Sequence, residues 1–256
     1  MVFLWDNYIN NNGLSTSVTT NNGELDSLTD PNLSNGFKLN GSTGWIVMDL
    51  GSSLPVTDFI VAGNNVTSGY TTLLLEGNDT DEWSSPSTSK NLDLYANGHF
   101  GTSGIDSTHR YWRVTVTDNT VTNVQLGWMI MTSRLQLPGI DKRTDLEYYS
   151  NTDKKLSISR QLYADTNEVY FKGAFTFPMI YDYNYEIGGK TICTREDILE
   201  FWYTNKGAIP FIMIVWENDL DKFPPVVGFI PDKKLKFRTD SEMGYYSMGF
   251  SFEETM

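Results

Sequence analysis

Cysteine is almost missing from this chain. Among its 256 residues only Cys193 carries a thiol. That excludes an internal disulfide and a cysteine zinc cluster. Its neighbourhood suits a small buried residue at the start of a helix. Histidine is nearly as scarce, and His99 and His109 both sit in loop-like sequence without metal-ligand spacing. Positive charge is thin. Nineteen Lys and Arg stand against 32 Asp and Glu, for a formal net charge of −13. These cations are scattered, so the clusters that neutralise nucleic-acid phosphates are not expected. No apolar run approaches the ~20 residues of a membrane span. The longest, 209–216, is strand length. Residues 1–7 have no basic region and no long apolar core, so no signal peptide is expected. The Asn-x-Ser/Thr patterns at Asn32, Asn40, Asn65 and Asn78 then reflect an Asn- and Thr-rich composition.

Catalytic signatures are missing too. The chain has no Gly-x-Ser-x-Gly elbow, no phosphate loop, no Gly-x-Gly-x-x-Gly and no His-Glu-x-x-His. Carboxylates abound, so composition leaves a glycosidase pair open. Asp79, Asp81 and Glu82, however, lie in turn-like surroundings where solvated acids are common. The expectation is a protein that is not an enzyme, with no catalytic residues, no cofactor and no firm metal site. Asp26 and Asp30, in Glu24-Leu25-Asp26-Ser27-Leu28-Thr29-Asp30, offer oxygens for calcium without EF-hand spacing. The alternative for that segment is an ordinary helical turn or loop.

What is present is β-pattern and aromatic mass. Phe, Trp and Tyr make up 14% of the chain. Up to about residue 137 short strand candidates recur at 45–50, 58–62, 71–76, 111–117 and 126–132, separated by Asn- and Gly-rich turns. Gly51-Ser52-Ser53 is expected to be a tight turn between the first two. Trp45 and Trp112 are expected in the core. Trp83, Tyr95, His99 and Phe100 fall among loop residues, where aromatic faces can stack on sugar rings. The alternative is that they plug the ends of the sandwich. Trp83, Tyr95 and His99 are the candidate ligand-binding residues.

Leu137-Pro138-Gly139 marks a boundary, because proline stops a strand and glycine lets the chain turn. Domains of 1–137 and 138–256 follow. The second holds one convincing helix. Thr194 is its N-cap, Glu196 and Asp197 occupy its first turn, and Ile198, Leu199, Trp202 and Tyr203 form an apolar stripe, with Gly207 just past its end. Strands are expected at 167–177 and 209–216, and a terminal hairpin pairs 233–239 with 245–252.

Four segments of the first half carry a resemblance. They are Trp45-Ile46-Val47-Met48-Asp49-Leu50-Gly51, Val56-Thr57-Asp58-Phe59-Ile60-Val61-Ala62-Gly63, Leu75-Glu76-Gly77-Asn78-Asp79 with Trp83, and Arg110-Tyr111-Trp112-Arg113-Val114. In this order they resemble the discoidin (galactose-binding-like) family. The resemblance implies a jelly-roll β-sandwich whose loops at one end meet glycans, lipids or proteins. The chain lacks the disulfide of many members, which suits an intracellular or virion setting. Combined with the second half, it resembles tail-tip or baseplate proteins of long-tailed bacteriophages. That second half is similar to the tail-tube or distal-tail fold, a β-sandwich with one flanking α-helix.

The implied fold is mainly β. The implied function is a structural virion component forming a homo-oligomeric ring around the tail channel. Its partners would be tail tube, hub and fibres, and a host surface glycan. It would not insert into membranes, and DNA would pass without specific binding. Synthesis would occur in the host bacterial cytoplasm. A channel lining richer in Asp and Glu than in Lys and Arg follows, because it repels phosphates. Lys233, Lys234, Lys236 and Arg238 should not dominate it. The alternative is a carbohydrate-binding module of a larger glycan-active assembly.

Overall fold

Two 19-residue strands, Thr43–Val61 and Phe100–Asp118, lie antiparallel along their length in a computed structural model of the chain. The structure describes residues 1–9, 13–17, 20–22, 24–33, 36–65, 71–95, 98–118, 123–139, 145–156, 162–205, 209–215, 217, 220, 224–232, 235–240 and 245–254. Strands this long are uncommon, and bulges divide them. The register slips between Asp49 and Leu54, and again between Val56 and Asp58. Residues with positive φ occupy the slips: Gly51 (φ 78°) in the first, Gly104 (φ 65°) and Asp106 (φ 49°) opposite the second. Bulges of the glycine-bearing type use such backbone, and glycine adopts it without strain.

This corrects one expectation. Gly51-Ser52-Ser53 does not reverse the chain, because the segments on either side pair with the same neighbour. The Asp49 carboxylate holds the bulge by accepting from the Gly51 backbone N–H at 2.8 Å. Arg110 grips both Asp49 oxygens, from Nε at 2.7 Å and Nη2 at 2.8 Å. The Arg110 hydrogen bond keeps the Asp49 carboxyl below the usual carboxylate range.

The first unit comprises residues 2–134 and 214–225. Thr71–Asn78 and Met129–Thr132 extend its larger sheet on opposite sides of the central pair. A smaller sheet joins Thr20–Asn22, Phe37–Leu39 and Gln125–Leu126. Both sheets contribute to one core. Phe37, Leu39 and Leu126 from the small sheet pack with Met48, Phe59, Leu75 and Trp112 from the large one. Each such side chain contributes about 1.5–3 kcal/mol when fully buried. A β-sandwich is therefore the architecture of this unit. Trp112 is fully buried as expected, while Trp45 is only half-buried.

The expected strand at 126–132 is divided. Gln125–Leu126 pairs in the small sheet and Met129–Thr132 in the large one. Gly127 marks the crossing, where a Cβ would lie 2.3 Å from the Ala62 carbonyl oxygen and 2.4 Å from that of Gly63. Only glycine permits that approach. Asn7 pins the N-terminal segment to the same strand, donating to the Met129 carbonyl and accepting from the Met131 N–H.

The second unit comprises residue 1, residues 135–213 and residues 226–256. Asp145–Leu156 pairs with Leu162–Ile180, which pairs with Tyr245–Glu254. Val226–Phe229 joins the far end of Tyr245–Glu254 and also pairs with Phe211–Ile214. Lys236–Asp240 forms the expected hairpin with Tyr245–Glu254, and its turn, with Lys233 and Lys234, lies outside the described residues. A separate hairpin, Tyr185–Ile187 with Lys190–Ile192, turns on Gly188 and Gly189, both at positive φ.

The helix runs Arg195–Asn205. Thr194 caps it reciprocally with Asp197. The Thr194 hydroxyl oxygen accepts from the Asp197 N–H at 3.2 Å, and the Asp197 carboxylate accepts from the Thr194 N–H at 2.7 Å. The buried stripe is Ile198, Phe201 and Asn205, so the apolar face is rotated from the expected one and Tyr203 points to solvent. Phe201 packs edge-on against Phe211, 5.0 Å between centroids. Gly207 lies outside the described residues. Cys193 is buried just before the helix, and burial pushes its thiol up to about 12, which makes it a packing residue. No helix among the described residues is long and apolar enough to cross a membrane.

Candidate functional site

The loop corner after Thr71–Asn78 gathers the densest side-chain chemistry of the first unit. Glu76 and Arg113 face each other across the sheet. Arg113 donates to Glu76 Oε2 from Nε at 2.9 Å and Nη2 at 2.7 Å. Its guanidinium lies over the Trp83 ring, 4.7 Å from the centroid. The Trp83 indole N–H donates to Asp81 at 2.8 Å. Asn78 closes the loop, donating to the Glu82 carbonyl and accepting from Ser87 Oγ. The candidate Trp83 is thus fixed in orientation, half-buried, at the edge of an exposed polar turn. A platform of this kind can stack one face of a ring-shaped ligand.

A second chain of contacts adjoins it. His109 Nδ1 is 3.2 Å from Asp79 Oδ1, and its Nε2 is 2.9 Å from the Thr88 hydroxyl, which donates to Ser107 Oγ at 3.1 Å. His109 also meets Trp112 edge-on at 5.5 Å. Gly77 makes room, since a Cβ there would lie 2.7 Å from the His109 ring. Carboxylate, imidazole and hydroxyl in sequence invite a catalytic reading. The hydroxyl, however, is engaged on both sides, so the chain fastens the turn to the strands and presents no free nucleophile. His109 was expected in a loop; it lies within the Phe100–Asp118 strand.

Tyr95 and His99 come together in a tight turn apart from Trp83. The Tyr95 N–H donates to the His99 carbonyl at 2.8 Å, and Gly98, at φ 81°, donates back to the Tyr95 carbonyl. Tyr95 is 6% exposed, with its ring against Gly101. Burial raises its hydroxyl above the tyrosine range. Burial pushes the half-buried His99 down to about 4, so its imidazole is neutral at ordinary pH. Phe100, next in the chain, is 2% exposed. These residues fill the turn, and Tyr95 is the buried one of the three candidates, with Trp83 and His99 half-buried.

Asp26 lies in the 3-10 helix Leu25–Leu28, where its backbone carbonyl accepts from Thr29. The Asp30 carboxylate accepts from the Asn32 N–H at 2.9 Å. Among the described residues no group of three or more His, Cys, Asp or Glu converges as metal ligands would.

A buried charge cluster had no sequence signal. Arg134 grips Asp58 with two hydrogen bonds, at 2.9 and 2.7 Å, and reaches Glu217 with its remaining terminal nitrogen. Thr57 donates to Asp58 at 2.7 Å. The Asp58 side chain is 1% exposed. Burial raises its carboxyl above the usual aspartate range, and the guanidinium limits that rise.

The second unit exposes an aromatic recess. Pro178, Met179, Tyr181, Tyr183, Tyr185 and Ile187 line about 430 Å³ of space. Tyr181 meets Tyr183 at 5.1 Å and Tyr185 at 5.0 Å between ring centroids. Met179, Tyr183 and Ile187 are 47%, 60% and 57% exposed.

No protein-family model matches the chain, and no curated protein matches it in sequence. Solved structures similar to it include a fucose-binding module of Streptococcus pneumoniae, 13% identical over 50% of this chain and 98% of that one, with a TM-score of 0.41. Chitosan-binding module 1, derived from a chitosanase/glucanase of Paenibacillus sp. IK-5, is 16% identical over 50% of this chain and 98% of its own, with a TM-score of 0.40. The lectin-binding domain of lectinolysin, complexed with Lewis b, is 16% identical over 49% and 94%, at 0.40.

Proposed function

We propose that this chain is a non-catalytic structural component of a long-tailed bacteriophage tail tip or baseplate. Residues 138–256 would assemble as a homo-oligomeric ring around the tail channel. Residues 1–137 would be offered to fibres or to a host glycan. One observation carries the assembly half. The exposed large hydrophobics among the described residues, Met179, Tyr183, Ile187, Tyr203 and Ile209, all belong to the second unit. Three of them line one recess. Clustered apolar exposure of this kind marks a surface that another chain covers. A second copy is the occupant proposed, and contact from one patch to a different patch on the next copy closes into a ring.

Light scattering with size-exclusion chromatography, followed by electron microscopy of the purified chain, tests this. A discrete ring is expected. Tyr183→Ser combined with Ile187→Ser should return monomers with unchanged circular dichroism. A wild-type chain that stays monomeric at high concentration and gives no rings refutes the proposal.

The carbohydrate-binding alternative draws on the Trp83 corner, whose ring is oriented by Arg113 and Asp81 beside exposed polar groups. A glycan array with the intact chain and with Trp83→Ala decides it. Binding lost in the variant supports the reading; an array without hits removes it.

A further inference from the structure

The outward face of the second unit's sheet carries a cation pair over a recess. Along Tyr245–Glu254, Met248, Phe250 and Phe252 are buried, so Ser247 and Gly249 face the other way. On the neighbouring strand Phe175 and Phe177 are buried and Thr176 is exposed. Register then fixes the neighbours. Lys236 stands opposite Gly249, Arg238 opposite Ser247, and Thr176 opposite Gly249 from the other side. Lys236 and Arg238, two residues apart on one strand, are separated by about 7 Å. Together with Ser247, Gly249 and Thr176 they line about 270 Å³ of space. Gly249 forms the floor. A Cβ there would sit 3.4 Å from the nearest atom, so nothing in the fold demands glycine at that point, and a larger side chain would fill the recess.

Lys236 and Arg238 contrast with the ion-paired arginines among the described residues. Arg110, Arg113, Arg134 and Arg195 are each ion-paired with a carboxylate. Neither Arg238 nor Lys236 has a carboxylate partner among the described residues, although acids outnumber bases by 32 to 19. A guanidinium fork, an ammonium and two hydroxyls around an open floor match the donors an oxyanion takes. The next cation along this sheet, Lys172, is paired to Glu253 at 2.9 Å. On a chain of net charge −13, two cations favour one anionic group, while the surplus acids repel a densely charged polyanion.

We propose that Lys236, Arg238, Ser247 and Thr176, around Gly249, form a binding site for a single oxyanion, a carboxylate or sulfate group on an otherwise neutral ligand. Equilibrium dialysis of the full chain with radiolabelled sulfate, at constant ionic strength in chloride, tests it in monomer and assembly alike. Saturable binding is expected, displaced by D-glucuronate and not by D-glucose. Both cations are exposed, so Lys236→Gln with Arg238→Gln should fold and bind at least roughly tenfold more weakly. Arg238→Lys should weaken binding by loss of the fork, and Gly249→Val by filling the floor with both charges kept. Absence of saturable binding, equal affinity in the double variant, or competition by glucose overturns the proposal. Stronger competition by short duplex DNA than by glucuronate overturns it too.

Discussion

Replacing Arg134 by methionine removes three charged hydrogen bonds and keeps most of the side-chain volume. Asp58 is then left with the Thr57 hydroxyl alone, in a site where its side chain is 1% exposed. Breaking a buried pair from one side costs about 3–5 kcal/mol, because the surviving charge stays desolvated. For a unit of this size each kcal/mol moves the melting temperature by about 2–4 °C, so a fall of roughly 6–20 °C is expected at neutral pH. The cost should depend on pH, with a definite sign. Without the guanidinium, burial and the nearby Asp106 charge act on Asp58 against the Thr57 hydrogen bond alone, and its carboxyl rises further above the unfolded value of about 3.8. The native variant then binds a proton that the unfolded chain has released. Its stability is retained near pH ~4 and lost as pH rises toward the native pKa. The gap to wild type therefore widens from acid to neutral pH. Urea unfolding at several pH values measures it. Adding Asp58→Asn to Arg134→Met removes the titrating group, and that variant should show a pH-independent deficit smaller than the single variant's at neutral pH. A deficit under about 1 kcal/mol at neutral pH, or one that does not change with pH, refutes this account of the cluster.

Three further outcomes follow from particular contacts. His99 is held neutral by burial, at about 4 against 6.5 in the unfolded chain, so the unfolded state takes up the proton first. Stability is lost as pH falls from about 6.5 to about 4, by about 1–2 kcal/mol for a half-buried ring, and His99→Gln should flatten that slope in thermal unfolding. Gly127→Ala drives a Cβ into two backbone carbonyls and should cost about 2–3 kcal/mol, whereas Gly139→Ala, with nothing within 4 Å, should be close to neutral by the same unfolding assay. Asp197→Ala breaks the reciprocal cap at Thr194 and should cost about 1 kcal/mol, with helical fraying visible as faster amide exchange in the first turn.

Local pattern made much of this fold legible. β-rich composition between turns marked the strand within Thr71–Asn78, alternation marked Tyr245–Glu254, and a threonine before two acids located the helix start, whereas the expected strand at 126–132 is divided between two sheets. What pattern could not supply is whether a glycine turns a chain or bulges it. Gly51-Ser52-Ser53 has the composition of a hairpin turn, and only the shared partner strand makes it a bulge. The helix phase was misread for a related reason. Trp202 and Tyr203 are amphipathic rings that tolerate solvent, while Phe201 is the ring that meets Phe211, which in turn meets Phe252. At the candidate site, Trp83 stood out as a loop aromatic, but its orientation by Arg113 depends on a partner thirty positions away (113 − 83 = 30). The Arg134–Asp58 pair spans 76 positions and leaves no trace in spacing.

The two units use their charged and aromatic groups differently, and this bears on assembly. In the first, Arg110, Arg113 and Arg134 are all committed to internal carboxylates, and large rings such as Trp112, Phe59 and Phe37 are buried. In the second, tyrosines stand open and Arg238 has no acid against it among the described residues. Pro178 lines the aromatic recess and Thr176 the recess of the cation pair, on one strand whose pairing is irregular between Phe177 and Ile180. In the proposed ring, copies that each carry −13 must be brought together against their mutual repulsion. Apolar burial has to offset that repulsion, and the exposed Met179, Tyr183 and Ile187 of the aromatic recess are the groups able to supply it.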